Sequence, residues 1–484
     1  MRPLVFWLAL VLALNAGCVR NVATGKRQLM LISQQDEIQL GQSAKQEVIQ
    51  GLGLVENPAL QQYVSQVGTR LAQQTERPDL PWSFQVVDDA SVNAFALPGG
   101  PIFVTRGILA HMGSEAELAS VLGHEIAHVT ARHSAQQLSK AQLAQAGLGL
   151  GSILLGEERA GLAQLAGVGL GVLLLRNSRD AEREADKLGL GYVVKSRYEP
   201  DEMVALFQTL SRVAGQSEAG RLPGWLQTHP EPEERLRTAQ KQLAELPPMD
   251  GTVEREPYLR KLEGVVYGAN PRQGFFQGQT FLHPDLRFRF LFPEGYKVEN
   301  QPQAVVGVSP RQDAAVVLSL APTADPQAAM NAFASQPGIQ VTGVSQGLMG
   351  TLNAVSGGFF AQAEQQRLEG VVTFVRHGER TFQLVGFTPA GNLAGVLPAF
   401  QRTMASFEPL NDPAVLNVQP ARIELTPVPE PMTLAQFLQR FPSTVSAEEL
   451  ARINGVDPAA RLEAGRLMKR VVGGVPPSAA AGGR

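Results

Sequence analysis

The chain has 484 residues, too many for a single core, and its 44% hydrophobic and 18% charged content describes a globular protein of several domains. A net charge of -3, with no basic run interleaved with aromatics, excludes an electrostatic case for nucleic acid as a partner. The one cysteine, Cys18, rules out an intramolecular disulfide, so each domain must be stable on packing alone.

Residues 1–18 read as a signal peptide. Arg2 supplies a positive start, Leu4 to Leu14 form an apolar stretch too short to span a bilayer as a mature helix, and Ala16-Gly17 precede Cys18. This resembles a bacterial lipoprotein signal, which implies lipidation of Cys18, although Asn15 stands where Leu is usual. Val19 resembles the sorting pattern for the outer membrane. Ser33 with Asp36 predicts a capped helix, and Leu60, Tyr63, Val64, Val67 and Leu71 stripe a second at helical spacing. Trp82 to Val87 alternates as a strand. Asn93 to Val104 reads as strand, Pro-Gly-Gly turn and strand, with an edge that could accept an extended peptide by strand addition.

Ser114 with Glu117 predicts a capping box that starts a helix through His124-Glu125-Ile126-Ala127-His128. Two histidines four apart lie about 40° apart around a helix and one turn apart along it, so both imidazoles reach one metal ion. Zinc takes such nitrogens together with a carboxylate, and Glu125 can draw the proton from a water on the same ion. A third ligand six residues beyond His128 is excluded, because that position is Ser134 and the preceding turn position is Ala131. His133 projects about 180° from His124 on a continued helix, which makes it structural or supporting. Ser178 to Asp186 predicts a second helix with Glu182 and Asp186 on one face: Glu182 fits the third ligand, and Asp186 could hold a ligand imidazole by its other N–H. Between these helices, Gly147 to Leu175 reads as a Gly/Leu/Ala-rich helical hairpin broken by Glu157-Glu158-Arg159, with a membrane-dipping hairpin as the alternative.

HEIAH followed by SRDAEREAD resembles the zinc metallopeptidases of the type-I CAAX prenyl protease family, which pair HExxH with ExEAD, and most of all their periplasmic branch, the β-barrel-assembly-enhancing proteases. Asn93-Ala94-Phe95-Ala96-Leu97-Pro98-Gly99-Gly100 and Thr228-His229-Pro230 resemble the same family, so the likeness covers roughly residues 30 to 245. It implies His124, His128 and Glu182 as ligands of one Zn2+ per chain, and Glu125 as catalytic base. It also implies a catalytic-site role for His229, either as an inhibitory fourth ligand or as a stabiliser of the oxyanion.

Beyond Pro247-Pro248, strands at Leu286–Phe292, Ala304–Val308, Ala314–Leu320, Val371–Arg376 and Thr381–Gly386, with helices at Ala328–Ser335 and Leu397–Ser406, predict an α+β sandwich that weakly resembles PsbP-like domains. Met432-Thr433-Leu434, Ile453-Asn454 and Leu462 to Gly465 resemble a LysM module, which implies peptidoglycan binding and a part whose removal spares the peptidase. The expected fold is therefore multidomain: signal peptide 1–18, a mainly α zincin-type metalloprotease domain with a small β-sheet at 19–246, and a linker at 247–271. An α+β domain at 272–410, a Pro-rich linker at 411–431, a LysM-like helical module at 432–472 and a disordered tail at 473–484 complete it. The expected function is a lipid-anchored zinc endopeptidase on the periplasmic side of the envelope, an outer-membrane lipoprotein acting on misfolded or stalled polypeptides. The outer-membrane assembly machinery and peptidoglycan are its further candidate partners. The rival is a periplasmic holdase or scaffold, or a peptidoglycan-binding protein, with a structural metal site.

Overall fold

The computed structural model describes residues 18–142, 177–214, 225, 228–229, 232–301, 303–362 and 367–474. The signal peptide up to residue 17, the 147–175 hairpin and the tail beyond 474 lie outside the described residues. Contacts divide the chain into two units: Met1–Ala269 joined by Ala421–Val472, and Asn270–Pro420 with the last residues.

In the first unit, a hairpin of β1 (Cys18–Arg20) and β2 (Arg27–Leu29) precedes helices α1 (Gln34–Leu52) and α2 (Pro58–Ala72). The Ser33–Asp36 capping box is present, and the apolar stripe of α2 is buried from Leu60 to Leu71. A three-stranded sheet has the order β3 (Ser83–Val87), β5 (Pro101–Thr105), β4 (Ala94–Ala96), so the short β4 lies on an edge. Gly99 and Gly100 make its turn with φ of 74° and 130°, the region where a side chain would be strained. Helix α3 (Arg106–His111) leads into α4 (Glu115–Thr130), whose sixteen residues are all buried. A helix buried on every side belongs at the centre of a domain, and α5 (Arg179–Lys195), α6 (Glu202–Ala214), α7 (Pro232–Ala244) and α8 (Arg255–Lys261) surround it. At its start Ser114 accepts from the Glu117 amide as expected, but the box is not closed: the Ser114 hydroxyl donates to Glu202, and Glu117 is turned toward Lys469 and Arg255.

The expected linkers are instead structured. Residues 247–271 hold α8, whose Tyr258 and Leu259 are fully buried in the main core, and Val253 accepts from the Ala116 amide at the head of α4. Within 411–431, β17 (Arg422–Pro427) pairs antiparallel with β20 (Leu467–Val472), and Pro427 ends that strand instead of breaking it. The C-terminal module is correspondingly not purely helical. It adds the ladder Met432–Thr433 with Arg461–Leu462 and helices α12 (Leu434–Arg440) and α13 (Ala447–Ile453), around Phe437, Leu450, Ile453, Met468 and Val471.

The second unit is an antiparallel α+β structure. A seven-stranded sheet has the order β12 (Ile339–Met349), β13 (Leu352–Gln362), β14 (Arg367–His377), β15 (Arg380–Pro389), β11 (Ala315–Leu320), β10 (Ala304–Val308), β9 (Lys297–Asn300). A four-stranded one has the order β16 (Glu408–Pro409), β8 (Phe288–Leu291), β7 (Thr280–His283), β6 (Phe275–Gln277), and α9 (Pro326–Ala334) and α10 (Leu393–Ala405) pack on the larger sheet. Sequence reading finds β8, β10, β11, β14, β15 and both helices but misses the short β6, β7, β9 and β16 and the long β12 and β13. Strand β12 alternates only over Ile339 to Thr342; from Gly343 it is almost wholly solvent-facing, and its register shifts between Thr342 and Ser345, so too short a run is left to read.

Candidate metal centre

Helices α4 and α5 approach at two glycines. A Cβ on Gly123 would lie 3.1 Å from the Gly189 carbonyl oxygen, and one on Gly189 would lie 2.9 Å from the His124 nitrogen. Glycine weakens a helix interior, and here it lets the two backbones meet so that Glu182 reaches the motif histidines. His124 Nε2 is 3.0 Å from His128 Nε2, and the Glu182 carboxylate oxygens lie 3.4 Å from each. His229 joins them: its Nδ1 is 3.0 Å from Glu182 and 3.2 Å from His124 Nε2. The described residues beside it are held by backbone bonds, from the His229 amide to the Trp225 carbonyl, from the Asn177 amide to the Thr228 carbonyl and from the Trp225 amide to the Val92 carbonyl beside the β4 edge.

One ligand atom from each of His124, His128, Glu182 and His229 lies within 4.8 Å of all the others, and all four residues are buried. Three imidazoles and one carboxylate are a donor set that suits zinc. Inside the cluster the Glu182 carboxylate faces three imidazoles, with the Arg235 guanidinium 3.3 Å away behind it. Burial by itself raises the Glu182 pKa, but His229, His124 and His128 outweigh it and hold the carboxyl well below its ordinary range. Glu125 sits beside the cluster, 1% exposed, with Oε1 3.4 Å from His229 Nε2 and without a hydrogen bond.

Residues 58–243 match the family model for Peptidase family M48. Beta-barrel assembly-enhancing protease of Escherichia coli is 31% identical over 255 residues, covering 51% of this chain and 51% of that protein. Mitochondrial metalloendopeptidase OMA1 of Schizosaccharomyces pombe is 38% identical over 119 residues, 24% of this chain and 35% of that protein. The chain thus spans about half the length of the first of these curated relatives. Among solved structures, cyanobacterial PsbP from Synechocystis sp. PCC 6803 aligns with 27% of this chain and 91% of that chain at 12% identity, with a TM-score of 0.23.

Around the four-residue cluster lies a further layer of contacts. His124 Nδ1 is 2.9 Å from Asp186, where sequence reading places a supporting carboxylate. Arg235, which sequence reading misses, grips Asp186 with two bonds of 2.8 and 2.6 Å, lies 3.3 Å from Glu182, and stacks on Trp225 and Phe207. Burial raises the Asp186 pKa, yet Arg235 and His124 overcome it and bring it down to about 2. The signal for Arg235 is its place on α7, one turn before the buried Ala239: a charge on a buried stripe implies a buried partner.

His133 does not point away as a continued helix would place it. Helix α4 ends at Thr130, Arg132 takes a φ of 59°, and the turn brings His133 Nδ1 to 2.8 Å from His128 Nδ1. Glu184 holds the far ring nitrogen of His133 at 3.2 Å, and Lys26 from the N-terminal hairpin holds Glu184 at 2.6 Å. The hydrogen bond from His133 brings the Glu184 pKa to about 2. Both motif histidines therefore have their second nitrogen engaged, which fixes ring orientation at a metal site. In the same hairpin, the Asn21 amide donates to the Thr130 and Ala131 carbonyls at the end of α4. The side chain of Cys18 and the residue Pro230 lie outside the described residues.

Proposed function

We propose that this chain is a zinc-dependent endopeptidase of the bacterial cell envelope that degrades misfolded or stalled envelope proteins, with His124, His128 and Glu182 as ligands and Glu125 as base. The observation that carries the reading is the buried convergence of those three side chains with His229, and Glu125 directly beside them. Zinc held there would supply Lewis acidity toward a peptide carbonyl and a water. Glu125 takes the proton of the attacking water and passes it to the leaving amine. The β4 edge, Ala94–Ala96, offers backbone groups to an extended substrate, a mode of binding indifferent to side-chain sequence. The Escherichia coli relative is named for β-barrel assembly. We extend that to outer-membrane β-barrel precursors as substrates, and to a periplasm-facing outer-membrane lipoprotein anchored at Cys18. Among the described residues no helix is long and apolar enough to cross a membrane. A PsbP-like role in docking for the second unit and a peptidoglycan-binding LysM role for residues 432–472 belong to the same proposal.

Purified protein should carry a single zinc ion per chain and cleave an unfolded polypeptide. Chelation should abolish cleavage and added zinc should restore it. Zinc that proves structural, with cleavage unaffected by its removal, overturns the reading in favour of a holdase or scaffold.

Four protein donors close a zinc site, which is the arrangement of a structural one. Catalysis at this centre therefore needs His229 to give up its place, and we assign it the part of an inhibitory ligand. His229→Ala should retain zinc and raise basal cleavage severalfold. A fall of about 10²–10³-fold would instead make it the stabiliser of the oxyanion, and an unchanged rate would remove it from the site.

A further inference from the structure

Lys469, near the end of the chain on β20, is completely buried. Its Nζ donates to the Ala110 and Met112 carbonyls, both at 2.7 Å, at the close of α3 and just before the Ser114 cap of α4. Asn454 fixes the backbone at this point from both sides: its Oδ1 accepts from the Lys469 amide at 2.7 Å and its Nδ2 donates to the Lys469 carbonyl at 2.8 Å. Burial pushes the Lys469 amine down to about 7 and the neighbouring Glu117 carboxyl of α4 up to about 7. An apolar side chain of similar length would fill the same space without that desolvation cost, so packing alone does not account for a lysine here. Its two hydrogen bonds, one to each carbonyl, account for it.

Two further ties meet the same short helix. Glu449 of α13 lies 3.6 Å from His111, the last residue of α3, and accepts a hydrogen bond from Tyr267. Strand β17 is bonded along residues 264–267, through Gly264 to Ile423 at 2.8 Å, Ile423 to Val265 at 2.9 Å and Tyr267 to Ala421 at 2.8 Å, and Ile423 enters the main core. From that segment, the carbonyls of Val266 and Gly268 receive Arg106 at the start of α3.

We propose that residues 421–472 are a built-in positioning element of the peptidase, in which Lys469 and Glu449 fix the α3–α4 turn and so aim the helix that carries His124, Glu125 and His128. The inference rests on the peptidase reading of that site. Eleven residues of helix, roughly 16 Å, separate the Ser114 cap from Glu125, so a small tilt at the turn displaces the base relative to a bound peptide. A misplacement of about 1 Å can cost on the order of 10²-fold in rate. Lys469 and Glu449 touch neither substrate nor metal and act only through α4.

The test uses the full-length protein with Lys469→Met and, separately, Glu449→Gln. Three measurements are made: zinc content, steady-state cleavage of an unfolded polypeptide, and hydrogen exchange across residues 106–125. Both variants should keep full zinc and a KM within about twofold of wild type, while kcat falls about 10-fold for Lys469→Met and less for Glu449→Gln. Exchange should quicken in 106–118 and stay unchanged in the second unit. Wild-type kcat and wild-type exchange in both variants would overturn the proposal. Should Lys469→Met fail to fold, Glu449→Gln, whose partner side chains lie nearer the surface, decides by the same two readouts. A wild-type protein that binds zinc and cleaves nothing defeats the peptidase reading instead, and the exchange measurement then still decides whether the module holds the turn.

Discussion

Glu125→Gln should leave zinc bound at full occupancy and lower cleavage of an unfolded polypeptide by about 10²–10⁴-fold, the range for removal of a positioned general base. The side chain is enclosed and lies beside the ligand cluster, so glutamine keeps its shape and loses only its basicity. Burial raises the Glu125 pKa above the ordinary carboxylate range, opposed in part by His229 and His124. A raised value means that the base is lost by protonation as the pH falls through it, so wild-type cleavage should decline on the acid side and the residual activity of the variant should lack that limb. Metal analysis together with a pH–rate profile checks both halves. Cleavage by the variant at the wild-type rate ends the assignment of Glu125.

Arg235→Met should carry the largest stability cost, about 3–5 kcal/mol, because removing one partner of a buried charge pair leaves the other desolvated and alone. Arg235 and Asp186 are each only a few per cent exposed, and Glu182 is 3.3 Å from Arg235. Without the guanidinium, Asp186 loses the charge that holds it ionised and the two bonds that keep it against the His124 ring. Metal affinity should then drop about 10–100-fold as well, the usual effect of removing an outer partner of a ligand. Thermal melting of the metal-free proteins and competition with a zinc chelator measure the two effects. A variant that melts and binds zinc as the wild type does would show that the Asp186–His124 contact stands without help.

His124, Glu125, His128, Glu182 and Asp186 were legible because their relations are local: spacing along one helix fixes which residues share a face, and two such faces then need only to meet. What makes them meet is less visible. Gly123 and Gly189 read as ordinary helical glycines until a Cβ is placed on either, and Arg235 reads as a surface charge until Asp186 is found beneath it. The helical projection of His133 fails because it assumes a helix that stops at Thr130. The fold of the second unit was legible where strands alternate and illegible at β12, where both faces of the strand meet solvent from Gly343 on. The place of the C-terminal module was beyond reach, since its contacts join positions as far apart as Ala110 and Lys469, and prolines 420, 427, 429 and 431 read as a tether when they border a strand.

The N-terminal hairpin sets a leash. Asn21 is clamped onto the end of α4, and only three residue steps separate it from Cys18, a fully extended reach of about 10–11 Å. A lipid on Cys18, as proposed above, would therefore moor the catalytic helix itself, with no flexible stalk between bilayer and active site. An enzyme so moored would patrol a thin shell at the membrane face. It meets chains delivered to that surface and is out of reach of those that stay in the bulk of the compartment.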